Sequence, residues 1–231
     1  MTGGAGRVAS TGGTGTATGG TGTATGGTGT ATGGTVGTGG AMTGGAGTSG
    51  ASCDSTWMVT MDGFVRMPAK TGCWSGYAFA GGDTTSTVTF PGGGKDFSKS
   101  AGKLELSGTV GSATADNMYA GSVYFGFNIG QVAGSSTSAK VTPTGTSLTI
   151  TCTGCSSPKM RAQLASGSST QWCADLVSGT AIAYTAFKKE CYNATPGAAY
   201  AKEPIDSVQI SIPGGAMDAT FDLTLMTVTE Q

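Results

Sequence analysis

From Cys53 onward the chain alternates apolar and polar residues with a period of two, the repeat of a β-strand with one face buried. In "YFGFNIGQ", Phe125, Phe127 and Ile129 fall on one face, and Tyr124, Gly126 and Asn128 on the other. "KMRAQLA" sets Met160, Ala162 and Leu164 against Arg161 and Gln163, and "SVQISIP" sets Val208, Ile210 and Ile212 against Gln209 and Ser211. "KLELSG" opposes Leu104 and Leu106 to Glu105, and "TFDLTLMTV" opposes Phe221, Leu223 and Leu225 to Asp222 and Thr224. The pattern predicts strands over 57–61, 85–90, 103–110, 122–131, 147–153, 159–165, 207–212 and 219–229, separated by Gly, Ser, Asn and Pro turns. "AIAYTAFKKECY", Ala181 to Tyr192, reads equally as a short helix or as a loop with one turn. Short strands without a helical layer need a second sheet to cover each apolar face, so the expected fold is all-β: a two-sheet β-sandwich, a jelly roll, over residues 53–231.

The first 52 residues break this pattern. Thr11 to Ala31 is three copies of TGGTGTA, and residues 1–50 hold no aromatic residue, no proline and one charge, Arg7. Such a segment has little apolar area to offset the entropy of ordering its glycines. A coiled coil would place Thr or Gly at its core positions, and collagen would need Gly at every third residue. Two roles stay open: a tether, free or stiffened by O-glycans on its threonines, and an arm that packs against other copies of the chain.

Charge removes other functions. Net charge is −1 over 231 residues, with no basic stripe for nucleic acid. No apolar run approaches the ~20 residues that span a bilayer. Six cysteines, Cys53, Cys73, Cys152, Cys155, Cys173 and Cys191, point to an oxidising, extracellular or cell-surface setting, although no signal peptide is legible after Met1. Local pairing, Cys53–Cys73, Cys152–Cys155 and Cys173–Cys191, is favoured among ~15 connectivities because each pair brackets a loop. The C-x-x-C of "CTGC" ends a strand rather than opening a helix, so a structural disulfide is expected before a redox pair, and without histidine a zinc site is not. Trp74 and Trp172 adjoin cysteines and are expected to pack against disulfides.

No histidine exists to activate a nucleophile, and of the glutamates Glu105, Glu190, Glu203 and Glu230 only Glu105 lies on a sheet face, where Asp222 is its candidate partner and both read rather as solvated or salt-bridged strand residues. The expectation is therefore a non-catalytic protein. No cofactor is expected; a structural calcium is left open, with Asp218 and Asp222 the nearest candidates and no D-x-D-x-D-G loop to support them.

The polar strand faces carry the chemistry. Tyr124, Asn128, Arg161, Gln163 and Gln209 offer an aromatic face, planar amides and a forked cation, beside the small Gly126 and Ser211. A sugar ring presents hydroxyls in its plane and apolar C–H faces above and below, and these groups suit both. The competing reading is an ordinary hydrated sheet face. Tyr77, Tyr119 and Tyr192 stand in turn-like contexts and are candidate loop platforms for the same ligand. "NAT" at Asn193 is a glycosylation acceptor in a host with that machinery.

The order "CWSGYAF", "YAGSVYFGFNIGQ", "KMRAQL", "WCADLVSGTAIAYTAFKKECY" and "IDSVQISIPGG" to "ATFDLTL" resembles secreted bacterial domains of the galactose-binding-like jelly-roll group. Many of these are carbohydrate-binding modules or sit beside glycan-active enzymes. The resemblance is most specific where Trp172-Cys173 and Cys191-Tyr192 flank the I-x-Y-x-x-F segment, and in the final F-D-L strand. It implies a jelly-roll fold, a secreted setting and a polysaccharide or cell-surface glycan as partner. The alternative from a different class is a structural subunit of an extracellular filament or surface layer that self-assembles through residues 1–52.

Overall fold

Each period-two stretch forms a strand, because alternation lets one set of side chains leave water while every backbone group finds a ladder partner. The computed structural model describes residues 56–93, 96–97, 101–113, 121–167, 170–191, 193 and 195–231. The Gly/Thr-rich segment, Cys53, Tyr119 and Tyr192 lie outside the described residues. The chain divides into Met1–Gly47 and Thr48–Gln231, and the described residues all belong to the second unit.

The strands in chain order are β1 (Met58–Val59), β2 (Phe64–Pro68), β3 (Cys73–Gly82), β4 (Thr87–Thr89), β5 (Leu104–Val110), β6 (Ser122–Asn128) and β7 (Ser147–Thr153). They continue with β8 (Arg161–Ser166), β9 (Thr170–Asp175), β10 (Ala181–Ala183), β11 (Lys188–Lys189), β12 (Ser207–Pro213) and β13 (Ala219–Glu230). An eight-stranded sheet runs β1-β2-β3-β6-β12-β8-β9-β11, and a five-stranded sheet runs β10-β7-β13-β5-β4. The described pairings are antiparallel. The chain passes from one sheet to the other between β3 and β4, β5 and β6, β6 and β7, β7 and β8, β9 and β10, β10 and β11, and β12 and β13.

The two apolar faces close on each other. Val123, Phe125, Phe127, Ala162, Leu164 and Ile210 of the large sheet meet Leu104, Leu106, Leu148, Ile150, Leu223 and Leu225 of the small one, all buried. The segment Ala181–Tyr192 is not a helix. Ala181–Ala183 pairs with β7, Tyr184–Ala186 makes one 3-10 turn, and Lys188–Lys189 pairs with β9. Its Ile182, Tyr184 and Phe187 are buried, so the segment is held by the core rather than by helical hydrogen bonds. Among the described residues the edge strands β1, β11, β10 and β4 are two or three residues long, which limits pairing with foreign strands.

Glu230 is buried at the end of β13. Its carboxylate accepts the Lys70 N–H at 2.9 Å, the Gly145 N–H at 2.8 Å and the Tyr184 hydroxyl at 3.2 Å. The β2–β3 turn, the approach to β7 and the end of the chain thus meet at one side chain. Burial, and then the Glu230 charge, push the Tyr184 phenol above its ordinary range.

Candidate functional site

The sheet order makes neighbours of the strands that carry the polar residues: β6, β12 and β8 lie side by side. Residues opposite one another across adjacent strands share a face, so the register defines rows on the outer face of the large sheet. One row reads Phe79, Gly126, Gln209, Gln163, Cys173 and Lys188 from β3 to β11. The next reads Gly81, Tyr124, Ser211, Arg161 and Asp175. On the other side of the first row, Asn128 stands opposite Ser207. Tyr124, Asn128, Arg161, Gln163 and Gln209 therefore lie in three adjacent rows of a single face.

Tyr124 is 43% exposed, and its ring lies across Gly81 with the Phe79 ring 6.3 Å away. The two amides are settled differently. Gln163 Nε2 donates to Gln209 Oε1 at 3.2 Å, and Gln209 Nε2 donates to Ser207 Oγ at 2.9 Å. Both glutamines are only 8% exposed, so they form a polar floor with fixed amide orientation rather than free arms. Gly126 is required at this floor: a Cβ there would come within 2.1 Å of the Val208 carbonyl oxygen. Asn128 Nδ2 lies 3.4 Å from Gln131 Oε1, whose amide also accepts the Tyr77 N–H at 2.9 Å. Arg161 is half-buried. Together these groups make a face on which Ser211 separates the Tyr124 ring from the Arg161 guanidinium in one row, with the Gln209 and Gln163 amides in the next.

Phe79, Gly81 and Ser207 belong to this face and are not apparent from the sequence as site residues. "GYAFAGG" carried the signal, a strand whose aromatic and glycine residues share a parity. Tyr77 is not a loop platform. It sits in β3, its ring meets Phe64 edge-on at 5.0 Å, and its hydroxyl both donates to Asp62 at 3.3 Å and accepts the Gly134 N–H at 3.0 Å. The other loop candidates, Tyr119 and Tyr192, lie outside the described residues.

The disulfides Cys152–Cys155 and Cys173–Cys191 form as the local pairing expects, with Cα atoms 6.0 and 5.5 Å apart. Cys73 is also disulfide-bonded, and Cys53 lies outside the described residues. Adjacent strand residues face opposite ways, so Trp172 enters the core, 4.9 Å from the Tyr200 ring, while Cys173 points to the outer face. Trp74 is likewise in the core beside an outward Cys73. The disulfide that borders the polar face is Cys173–Cys191, next to Gln163 in the register.

Other chemistry is sparse. A depression of about 370 Å³ opens beside Cys152–Cys155, floored by Met160 and Leu176. Among the described residues no three Cys, Asp or Glu side chains gather as a metal-ligand set. Asp218 accepts the Ser112 N–H at 2.7 Å, and Asp222 stands opposite Ser107 on the small sheet. Glu105 is ion-paired with Lys103 at 2.7 Å. Among the described residues no helix is long and apolar enough to cross a membrane.

No protein-family model matches the chain, and no curated protein matches it either. What the chain can be assigned to on these findings is an architecture: an all-β, disulfide-bonded two-sheet sandwich.

Proposed function

We propose that the sandwich is a non-catalytic carbohydrate-binding module that holds a polysaccharide across the outer face of its large sheet, with residues 1–52 as an extracellular tether. The observation that carries this reading is the exposed Tyr124 ring, whose phenolic end packs over Gly81, two strands from Arg161 in the same row. A sugar stacks on such a ring through its C–H face while its in-plane hydroxyls reach the neighbouring amides and guanidinium. The disulfides support an oxidising compartment.

The placement of the glutamates supports the non-catalytic reading. Glu105 is neutralised by Lys103, and Glu230 is buried among three donors. Glu203 accepts the Ala201 N–H and Glu190 the Asn193 amide, each within its own turn. Glu105 and Asp222 stand diagonally on the outer face of the small sheet, away from the polar face, and the ion pair with Lys103 supports a structural role for Glu105.

Affinity electrophoresis of the full chain in gels containing soluble cellulose, chitin or xylan derivatives tests the reading. Retardation by one polymer, lost in Tyr124→Ala with unchanged circular dichroism, is the expected result. Unretarded migration in all of them, together with pelleting of the chain without any glycan, would replace this reading by assembly through residues 1–52.

A further inference from the structure

Cations gather at one end of the same face. Lys159 Nζ contacts both oxygens of Asp175 at 3.0 Å. Arg161 stands opposite Asp175 across β8 and β9, yet that carboxylate is committed to Lys159, and among the described residues the guanidinium has no ion-pair or hydrogen-bond partner. Lys188 lies in the adjacent row, opposite Cys173, also without such a partner among the described residues. Three cations therefore stand around one carboxylate. Glu190, two residues beyond Lys188, turns away at φ 50° and accepts the Asn193 amide at 2.8 Å.

At the far end of the face Arg66 adds a further cation on β2, opposite Ser75, and the nearby Asp62 carboxylate is occupied by the Thr60 hydroxyl, the Phe64 N–H and the Tyr77 hydroxyl. The strand carboxylates of the small sheet, Glu105 and Asp222, point outward on the opposite side of the sandwich. The protein as a whole has a net charge of −1, so this positive face is a matter of placement and not of composition.

We propose that the polysaccharide held here is acidic, a chain whose repeating sugars carry carboxylates, with Arg161 and Lys188 taking its anionic groups while Tyr124 stacks on a ring. This rests on the reading of the face as a glycan site. The argument is charge complementarity. A guanidinium left without a partner beside a committed carboxylate is arranged to accept an anion in forked geometry. The backbones of Arg161 and Lys188 are two strand spacings and one row apart, roughly 10–12 Å, a spread over which successive charged sugars of one chain can reach both cations.

The test compares two polymers that differ only in charge, polygalacturonate and its fully methyl-esterified form, by isothermal titration of the full chain at low and at physiological salt. The acidic polymer should bind about tenfold tighter or more, and that advantage should shrink as salt rises. Arg161→Gln and Lys188→Gln should each weaken binding of the acidic polymer severalfold; Lys188→Gln should leave the ester unchanged, Arg161→Gln should weaken the ester far less than the acid, and Arg161→Lys should recover part of the loss. Equal binding of the two polymers, insensitive to salt and to both substitutions, would overturn the charge proposal while Tyr124→Ala still reports on the glycan reading. Binding of neither polymer, nor of the neutral glycans above, would remove both.

Discussion

The Tyr124 ring occupies the space in which residue 81 would carry a side chain: a Cβ at Gly81 would come within 2.5 Å of the phenolic oxygen and 2.7 Å of Cζ. The glycine is there to let the ring lie down. Because the clash is with the far end of a side chain that can swing, Gly81→Ala should fold with a loss of less than about 1 kcal/mol. It should still lift the ring from the sheet and weaken glycan binding as Tyr124→Ala does. Chemical denaturation and affinity electrophoresis of the same variant check the two halves of this expectation.

Glu230 predicts a large cost in stability far from the polar face. Glu230→Ala strands the Lys70 and Gly145 N–H groups and the Tyr184 hydroxyl, and should lower the unfolding free energy by about 3 kcal/mol or more. Tyr184→Phe removes one of the three contacts and should cost about 1 kcal/mol. Urea unfolding followed by tryptophan fluorescence measures both, and glycan binding by the folded fraction should not change.

Acid should loosen the loops before the core. The Asp83 carboxyl is held well below the ordinary carboxylate range, first by the Ser86 hydroxyl, against the opposing effect of burial, and further by the Gly121 N–H, the Thr85 hydroxyl and the Ser122 N–H. Asp62 is lowered in the same direction, chiefly by the Thr60 hydroxyl. A carboxyl depressed in the folded state stabilises fully above its unfolded value of about 3.9, and that contribution is lost as pH falls through the folded value. Stability should therefore be flat with respect to these two groups above about pH 5 and decline below about pH 4. Asp83→Asn should show a shallower acid decline than the parent protein in thermal melts across that range.

The Cys173–Cys191 disulfide spans 18 residues and borders the glutamine floor. Replacing both cysteines by serine should cost about 3 kcal/mol, by the loop entropy it no longer removes from the unfolded chain. The Cys152–Cys155 link closes a much shorter loop and should cost less when removed in the same way. Denaturation midpoints of the two double variants, side by side, decide the order.

The strands that the sequence shows plainly are those whose two faces differ, and 147–153 matches its strand residue for residue. Those it hides are strands whose glycines serve neighbours. In β3, Gly76 sits where a Cβ would be 2.3 Å from the Asn128 carbonyl oxygen, and Gly81 receives the Tyr124 ring. Read locally, such glycines mark turns; only the partner strand reveals them as points of close approach. In β9, "TQWCAD", the tryptophan enters the core and the cysteine leaves it, an alternation that an apolar pair in sequence conceals. The candidate face was half legible for a related reason. Parity gave the outward residues of each strand, but their convergence depended on β12 lying between β6 and β8, which no local pattern specifies. Phe79 and Gly81 enter the face only through that order.

The most direct test of glycan binding on this face is an amide NMR titration of the full chain with soluble oligosaccharides of the polymer that retards it. The account predicts shifts that saturate and cluster on Gly81, Tyr124, Gly126, Arg161, Gln163 and Gln209, with Glu105, Thr151 and Asp222 on the small sheet unmoved. Shifts confined to the small sheet, or no saturable shifts with any glycan, would contradict it.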